Sequence, residues 1–143
     1  MNQNKRSQKR YPVPDGFYLH LRLRSDMIGR ILDISEGGVG FEYVQLWDTD
    51  TIPVNKEPLV INILNSGSQL LKNASCKVTY CNGIVTHSLF SGMVPMFRCG
   101  LQFVELTQGQ RMQLDAILYS CKTQSRRRSA LAYEPANSSG YTE

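Results

Sequence analysis

The chain alternates before it does anything else. In "FYLHLRLR", residues 17–24, Phe17, Leu19, Leu21 and Leu23 share one parity, and Tyr18, His20, Arg22 and Arg24 share the other. A period of two with one apolar face predicts a half-buried β-strand. "MIGRILDIS" and, after a glycine-rich turn, "VGFEYVQLW" predict two more. "PLVINIL", "SCKVTYC" and "FRCGLQFVEL" predict a further three. The stretches between them, "DTDTIPVNKE", "NSGSQLLKN" and "NGIVTHSLFSGMVP", read as turns. A period of 3.6 emerges once, from about Gln108 to Cys121, where Leu114, Ile117, Leu118 and Cys121 form one stripe. Thr107 and Gln110 have the spacing of a capping box at its start.

Six short antiparallel strands leave two raw edges unless the sheet closes. The pattern therefore predicts a mainly β fold: a small closed six-stranded antiparallel β-barrel with one C-terminal α-helix. Residues 1–16 are polar, basic and broken by Pro12, Pro14 and a Pro14-Asp15-Gly16 turn signal, so they read as a flexible arm. The barrel and helix occupy 17–121. Residues 122–143 read as a disordered polar tail containing "SRRRS".

Composition narrows the partners. Of 143 residues, 41% are hydrophobic and 20% charged, enough for one core. A net charge of +4 favours anionic ligands without reaching the charge of a nucleic-acid-packaging protein. No apolar run is long enough to span a membrane. The polar N-terminus does not resemble a signal peptide, so a cytoplasmic home is expected. Cys76, Cys81, Cys99 and Cys121 lack metal-site spacing and read as small buried residues in a reducing compartment rather than as a disulfide framework. His20 and His87 have no catalytic or metal-ligating neighbour in the sequence. Neither a nucleophilic triad nor a phosphate-cradling loop is present, so no enzyme, metal or cofactor is expected.

Two short motifs remain. Arg6 and Arg10 stand four apart in "RSQKR", and after 22 intervening residues comes Asp33-x-Ser35-x-x-Gly38. By alternation Leu32 and Ile34 enter the core, and Asp33 and Ser35 share the outer surface. Gly37 and Gly38 allow a sharp turn and keep side chains out of the space beside it. Together the motifs resemble the paired signature of PilZ domains, receptors for the bacterial second messenger cyclic di-GMP. "RCGLQFVEL" is similar to that family's closing strand, and the likeness extends over about residues 5–121.

The resemblance implies a cyclic di-GMP site made of Arg6, Arg10, Asp33, Ser35 and Gly38, with Lys9 and Gly37 as additional candidates. The chemistry agrees. An arginine fork matches guanine O6 and N7, a carboxylate accepts from the N–H groups on the opposite edge, and guanidinium planes stack on purines. The resemblance also implies that ligand folds the arm back over the barrel and that a protein effector reads the result. Two rivals stand beside it. A small basic barrel could bind single-stranded nucleic acid, which requires outward aromatics; of Tyr18, Tyr43 and Tyr80, two lie on apolar faces, so this partner is disfavoured. A PilZ-like scaffold could instead bind proteins without any ligand, against which the intact motifs argue.

Overall fold

The computed structural model describes residues 8–22, 26–44, 52, 58–88 and 92–132, without the side chains of 84–88, 92–94 and 125–132. The elements are β1 (Tyr11–Pro12), β2 (Phe17–Arg22), β3 (Met27–Ile34), β4 (Gly38–Val44), β5 (Leu59–Asn65), β6 (Ser68–Ser88), β7 (Gly92–Phe103) and α1 (Gln108–Ala132). The sheet runs β1-β3-β2-β5-β6-β7-β4, and β3 also pairs with β4. That last pairing closes β2–β7 into the expected six-stranded antiparallel barrel. The two-residue β1 is an extra strand on the outer edge of β3.

Alternation fills the interior. Phe17, Leu19, Leu21, Val39, Phe41, Ile61, Ile63, Val78 and Leu101 are all buried inward residues. Ile52, from a stretch read as a turn, is buried with them. The capping box forms as expected: Gln110 N–H donates to Thr107 Oγ1 at 3.1 Å, and Thr107 N–H to Gln110 Oε1 at 2.9 Å. The Gln110 Nε2 group also donates to the carbonyls of Lys72 and Asn73, pinning the helix start to β6. Leu114, Ile117, Leu118 and Cys121 then enter the core, as their spacing predicts.

Several expectations need correction. The helix does not stop at Cys121 but continues to Ala132, because no glycine or proline follows Cys121 before Pro135. Residues 133–143 lie outside the described residues. "NSGSQLLKN" is a turn only at Ser66 and Gly67, whose φ values of 52° and 83° suit a tight two-residue hairpin; its remainder is strand. "NGIVTHSLFSGMVP" is mostly strand as well, since β6 runs to Ser88 and β7 starts at Gly92. Its weak alternation concealed a long hairpin.

The cysteines divide into two kinds. Cys76 and Cys121 are free and buried, as expected. Cys81 and Cys99 are not separate: they face one another across β6 and β7 as a disulfide. Spacing along the chain carries no information about strand register, which brings this pair together. His20 is also partnered, with Nδ1 3.0 Å from Asn62 Nδ2 and Nε2 3.3 Å from Asp26. Trp47 and the His87 side chain lie outside the described residues.

Candidate functional site

Of the candidate residues, Arg10 and Asp33 meet on the outer face of the barrel beside the junction of β3 and β4. Ser35 and Gly37 belong to the turn between those strands, which ends at Gly38, the first residue of β4. A bulge in β3 governs their placement. Ile31 pairs with Phe41 and Asp33 with Gly40, leaving Leu32 as the additional residue. Its carbonyl accepts from the Val13 N–H at 3.0 Å, which straps the arm to the barrel. The inward residues are thus Ile31 and Ile34, not Leu32 and Ile34. Asp33 still faces outward, as expected.

Arg10 meets Asp33 there. Its Nε and Nη2 both donate to Asp33 Oδ1, at 3.0 and 2.5 Å. Both bonds end on one oxygen, and among the described residues Oδ2 has no hydrogen-bond partner. The two side chains are partly open, at 26% and 39% exposure, so the pair remains reachable from solvent. Residues 8–12 therefore lie on the barrel, with Tyr11 opposite Ile34 and Pro12 opposite Asp33. Arg6 lies outside the described residues.

Ser35 departs from expectation. It is 2% exposed rather than on the surface. Its Oγ accepts from the N–H groups of Gly37 and Gly38, both at 3.2 Å. The hydroxyl thus shapes the turn. Gly38 is required for a different reason: a Cβ there would collide with the Leu101 carbonyl of β7. Gly37 lies beneath the side chain of Gln8, which occupies the space a Cβ would need.

Lys9 points elsewhere. Its ammonium lies 5.6 Å from the ring centroid of Tyr11, and Lys122 of α1 lies 5.4 Å from the same centroid. These three residues, with Gln8 and Glu36, also line a small cleft of about 230 Å³ that reaches Leu118.

A larger cleft of about 400 Å³ opens beside Arg10. Ser35, Gly37 and Gly38 bound it on one side, and Thr79, Tyr80 and Gly100 on the other. Its size is that of a small-molecule site. The far wall was not singled out from the sequence. In "SCKVTYC" Tyr80 shares parity with Cys76 and Val78, which places it inside by simple alternation. A second bulge, between Val78 and Tyr80, reverses that and leaves Tyr80 41% exposed. The glycines of β4 and β7, Gly40 and Gly100, were the available signal, because small residues inside strands mark close approach.

Among the described residues no group of His, Cys, Asp or Glu could hold a metal ion, and no helix is long and apolar enough to cross a membrane.

Comparison with known proteins agrees with the fold. The family model described as "PilZ domain" matches residues 4–120. No curated protein matches the sequence. Among solved structures, the chain resembles the PilZ domain with c-di-GMP of YcgR from Escherichia coli at 15% identity and a TM-score of 0.67, covering 89% of this chain and 98% of that one. The K. pneumonia MrkH–c-di-GMP complex is similar at 16% identity and a TM-score of 0.67, covering 88% of this chain. The match takes in 56% of MrkH, so the chain spans about half of that protein.

Proposed function

The chain belongs to the PilZ domain family, and on that footing we propose that it is a receptor for cyclic di-GMP. The observation that carries the reading is the Arg10–Asp33 pair at the edge of an outward cleft floored by backbone. Its chemistry suits a ligand with two phosphodiester anions and two guanines. Asp33 Oδ2 has lone pairs for the N–H groups of a guanine. Arg10 offers its remaining N–H donors to O6, N7 or a phosphate oxygen. Arg6, four residues earlier, supplies a second fork. Ser35 and Gly38 serve the site through the turn they build. The similar structures of the YcgR PilZ domain and of MrkH with c-di-GMP support the same ligand.

The signal passes from the arm to a protein effector. Tyr11 touches both β3, by strand pairing, and α1, through Lys122. A ligand that draws Arg6 and Arg10 inward pulls on this junction. The surface formed by the arm and the middle of α1, around Leu118 and Lys122, is then what the effector reads. The site binds and presents; it performs no chemistry.

Calorimetry with cyclic di-GMP, GTP and a short single-stranded RNA tests the reading. Saturable binding of cyclic di-GMP alone is expected. Binding of RNA alone would favour a nucleic-acid barrel, and binding of none would leave a scaffold. The exposed aromatics disfavour the RNA outcome. Tyr18 lies across β5 from Gln69, far along β6 from Tyr80, so the two do not form one stacking platform.

A further inference from the structure

One row of residues crosses the outer face of four strands. Asp33 on β3 is opposite Gly40 on β4, Gly40 is opposite Gly100 on β7, and Gly100 is opposite Tyr80 on β6. Directly opposed residues project to the same face of a sheet. The row therefore has a polar wall at one end, two bare positions in the middle and an aromatic wall at the other. Its ends are three strand spacings apart, about 14 Å between backbones.

Both walls lean inward over the bare floor. A Cβ on Gly40 would lie 2.8 Å from Asp33 Oδ1 and 3.4 Å from Arg10 Nη2. A Cβ on Gly100 would lie 2.6 Å from Cε2 of the Tyr80 ring and 3.0 Å from Thr79 Oγ1. Each glycine thus makes room for the side chain beside it. The bulge between Val78 and Tyr80 is what brings the ring out of the core and over the floor. Bulges of this kind re-aim side chains beside binding sites. The Thr79 hydroxyl, donating to the Gly100 carbonyl at 3.0 Å, holds the bulged segment down.

We propose that Tyr80 is a base-stacking residue of the ligand site, its ring receiving the face of one guanine of cyclic di-GMP while Arg10 and Asp33 read an edge. The proposal rests on the receptor reading above and assigns that site a wall that the arginine and Asp-x-Ser-x-x-Gly motifs do not contain. An exposed aromatic over a glycine offers a flat apolar face that every base can use, and a purine uses it best through its larger ring. Hydrogen-bonding walls alone would leave that face open to water.

Titration of cyclic di-GMP into the wild type and into Tyr80→Phe, Tyr80→Trp and Tyr80→Leu tests this. Phe and Trp should bind within about threefold of wild type, because the ring and not the hydroxyl is used. Leu fills similar space without a π face and should bind about fivefold to a hundredfold more weakly, with an unchanged Tm in the absence of ligand. Gly100→Ala keeps the ring but displaces it, and should also weaken binding. A Leu variant with wild-type affinity overturns the proposal and leaves the receptor reading standing. A wild type that does not bind cyclic di-GMP overturns both. NMR of the wild-type protein provides a readout independent of how the variants fold. The Tyr80 ring protons should move upfield as ligand is added, and ring signals that stay fixed at saturation would also overturn the stack.

Discussion

Arg10 holds Asp33 by two hydrogen bonds that end on the same oxygen, Oδ1. The pair is therefore one unit. The arginine fixes the carboxylate through Oδ1 and leaves Oδ2 without a hydrogen-bond partner among the described residues, and the carboxylate fixes the arm on the barrel. Changing either residue disturbs the other.

Asp33→Ala and Arg10→Ala should each weaken cyclic di-GMP binding about tenfold to a hundredfold, the range for a charged hydrogen bond of roughly 1.5–3 kcal/mol. Their effects should not add. The double variant should bind about as weakly as the worse single one, since each single change already breaks the unit. Calorimetry on all four proteins closes the cycle, and strictly additive losses would show that the two residues contact ligand independently. Arg10→Lys should not restore binding, because an ammonium lacks the planar fork. Arg6→Lys carries the same expectation.

Ser35→Ala should act on the fold first. It strips two N–H groups at a buried turn of their acceptor. The expected loss is about 1–3 kcal/mol of stability, seen as a Tm several degrees lower without ligand. Weaker binding should accompany it. A Ser35→Ala protein with normal Tm but poor affinity would instead make the hydroxyl a direct ligand contact.

Gly38→Ala and Gly40→Ala should separate folding from binding. At Gly38 the added methyl meets the backbone carbonyl of Leu101, which cannot step aside without opening the pairing of β4 with β7. At Gly40 it meets the Asp33 and Arg10 side chains, which can move. Thermal melts should show Gly38→Ala clearly destabilised and Gly40→Ala near wild type. Ligand titration of Gly40→Ala should nevertheless show reduced affinity.

Burial pushes the Cys76 thiol up to about 12 from an ordinary 9.0. Above pH 9 the unfolded chain releases this proton while the folded chain retains it, so the folded state loses stability as pH rises. The contribution is whole below pH 9 and is lost between pH 9 and 12. Urea melts at pH 7, 9 and 10.5 should show a steeper decline for wild type than for Cys76→Ala. Parallel declines would mean that Cys76 does not carry this dependence.

The barrel could be read from the sequence because alternation over six strands and one capped amphipathic helix all point to the same closed sheet. The site was only half visible. Arg10, Asp33 and Gly38 fall in motifs whose chemistry can be argued residue by residue. Tyr80 was hidden because one bulge reverses parity, and a period of two cannot announce where it slips. The same kind of slip at Leu32 exchanged it with Ile31 as a core residue. Ser35 was misplaced for a related reason: alternation was extended past the end of β3, where the chain already turns. The opposition of Gly40 and Gly100 depends on pairing between distant segments, as does that of Cys81 and Cys99.

The paired glycines have a further consequence. The Gly100 backbone that lines the cleft has no rotamers, so a ligand settling against it freezes none there. The hydrogen-bonded ladder beneath is already fixed, and the face behaves as a rigid mould. Selection for tighter binding can therefore act on the walls, but adding a side chain to the floor exchanges a shaped surface for one that must be ordered at every encounter.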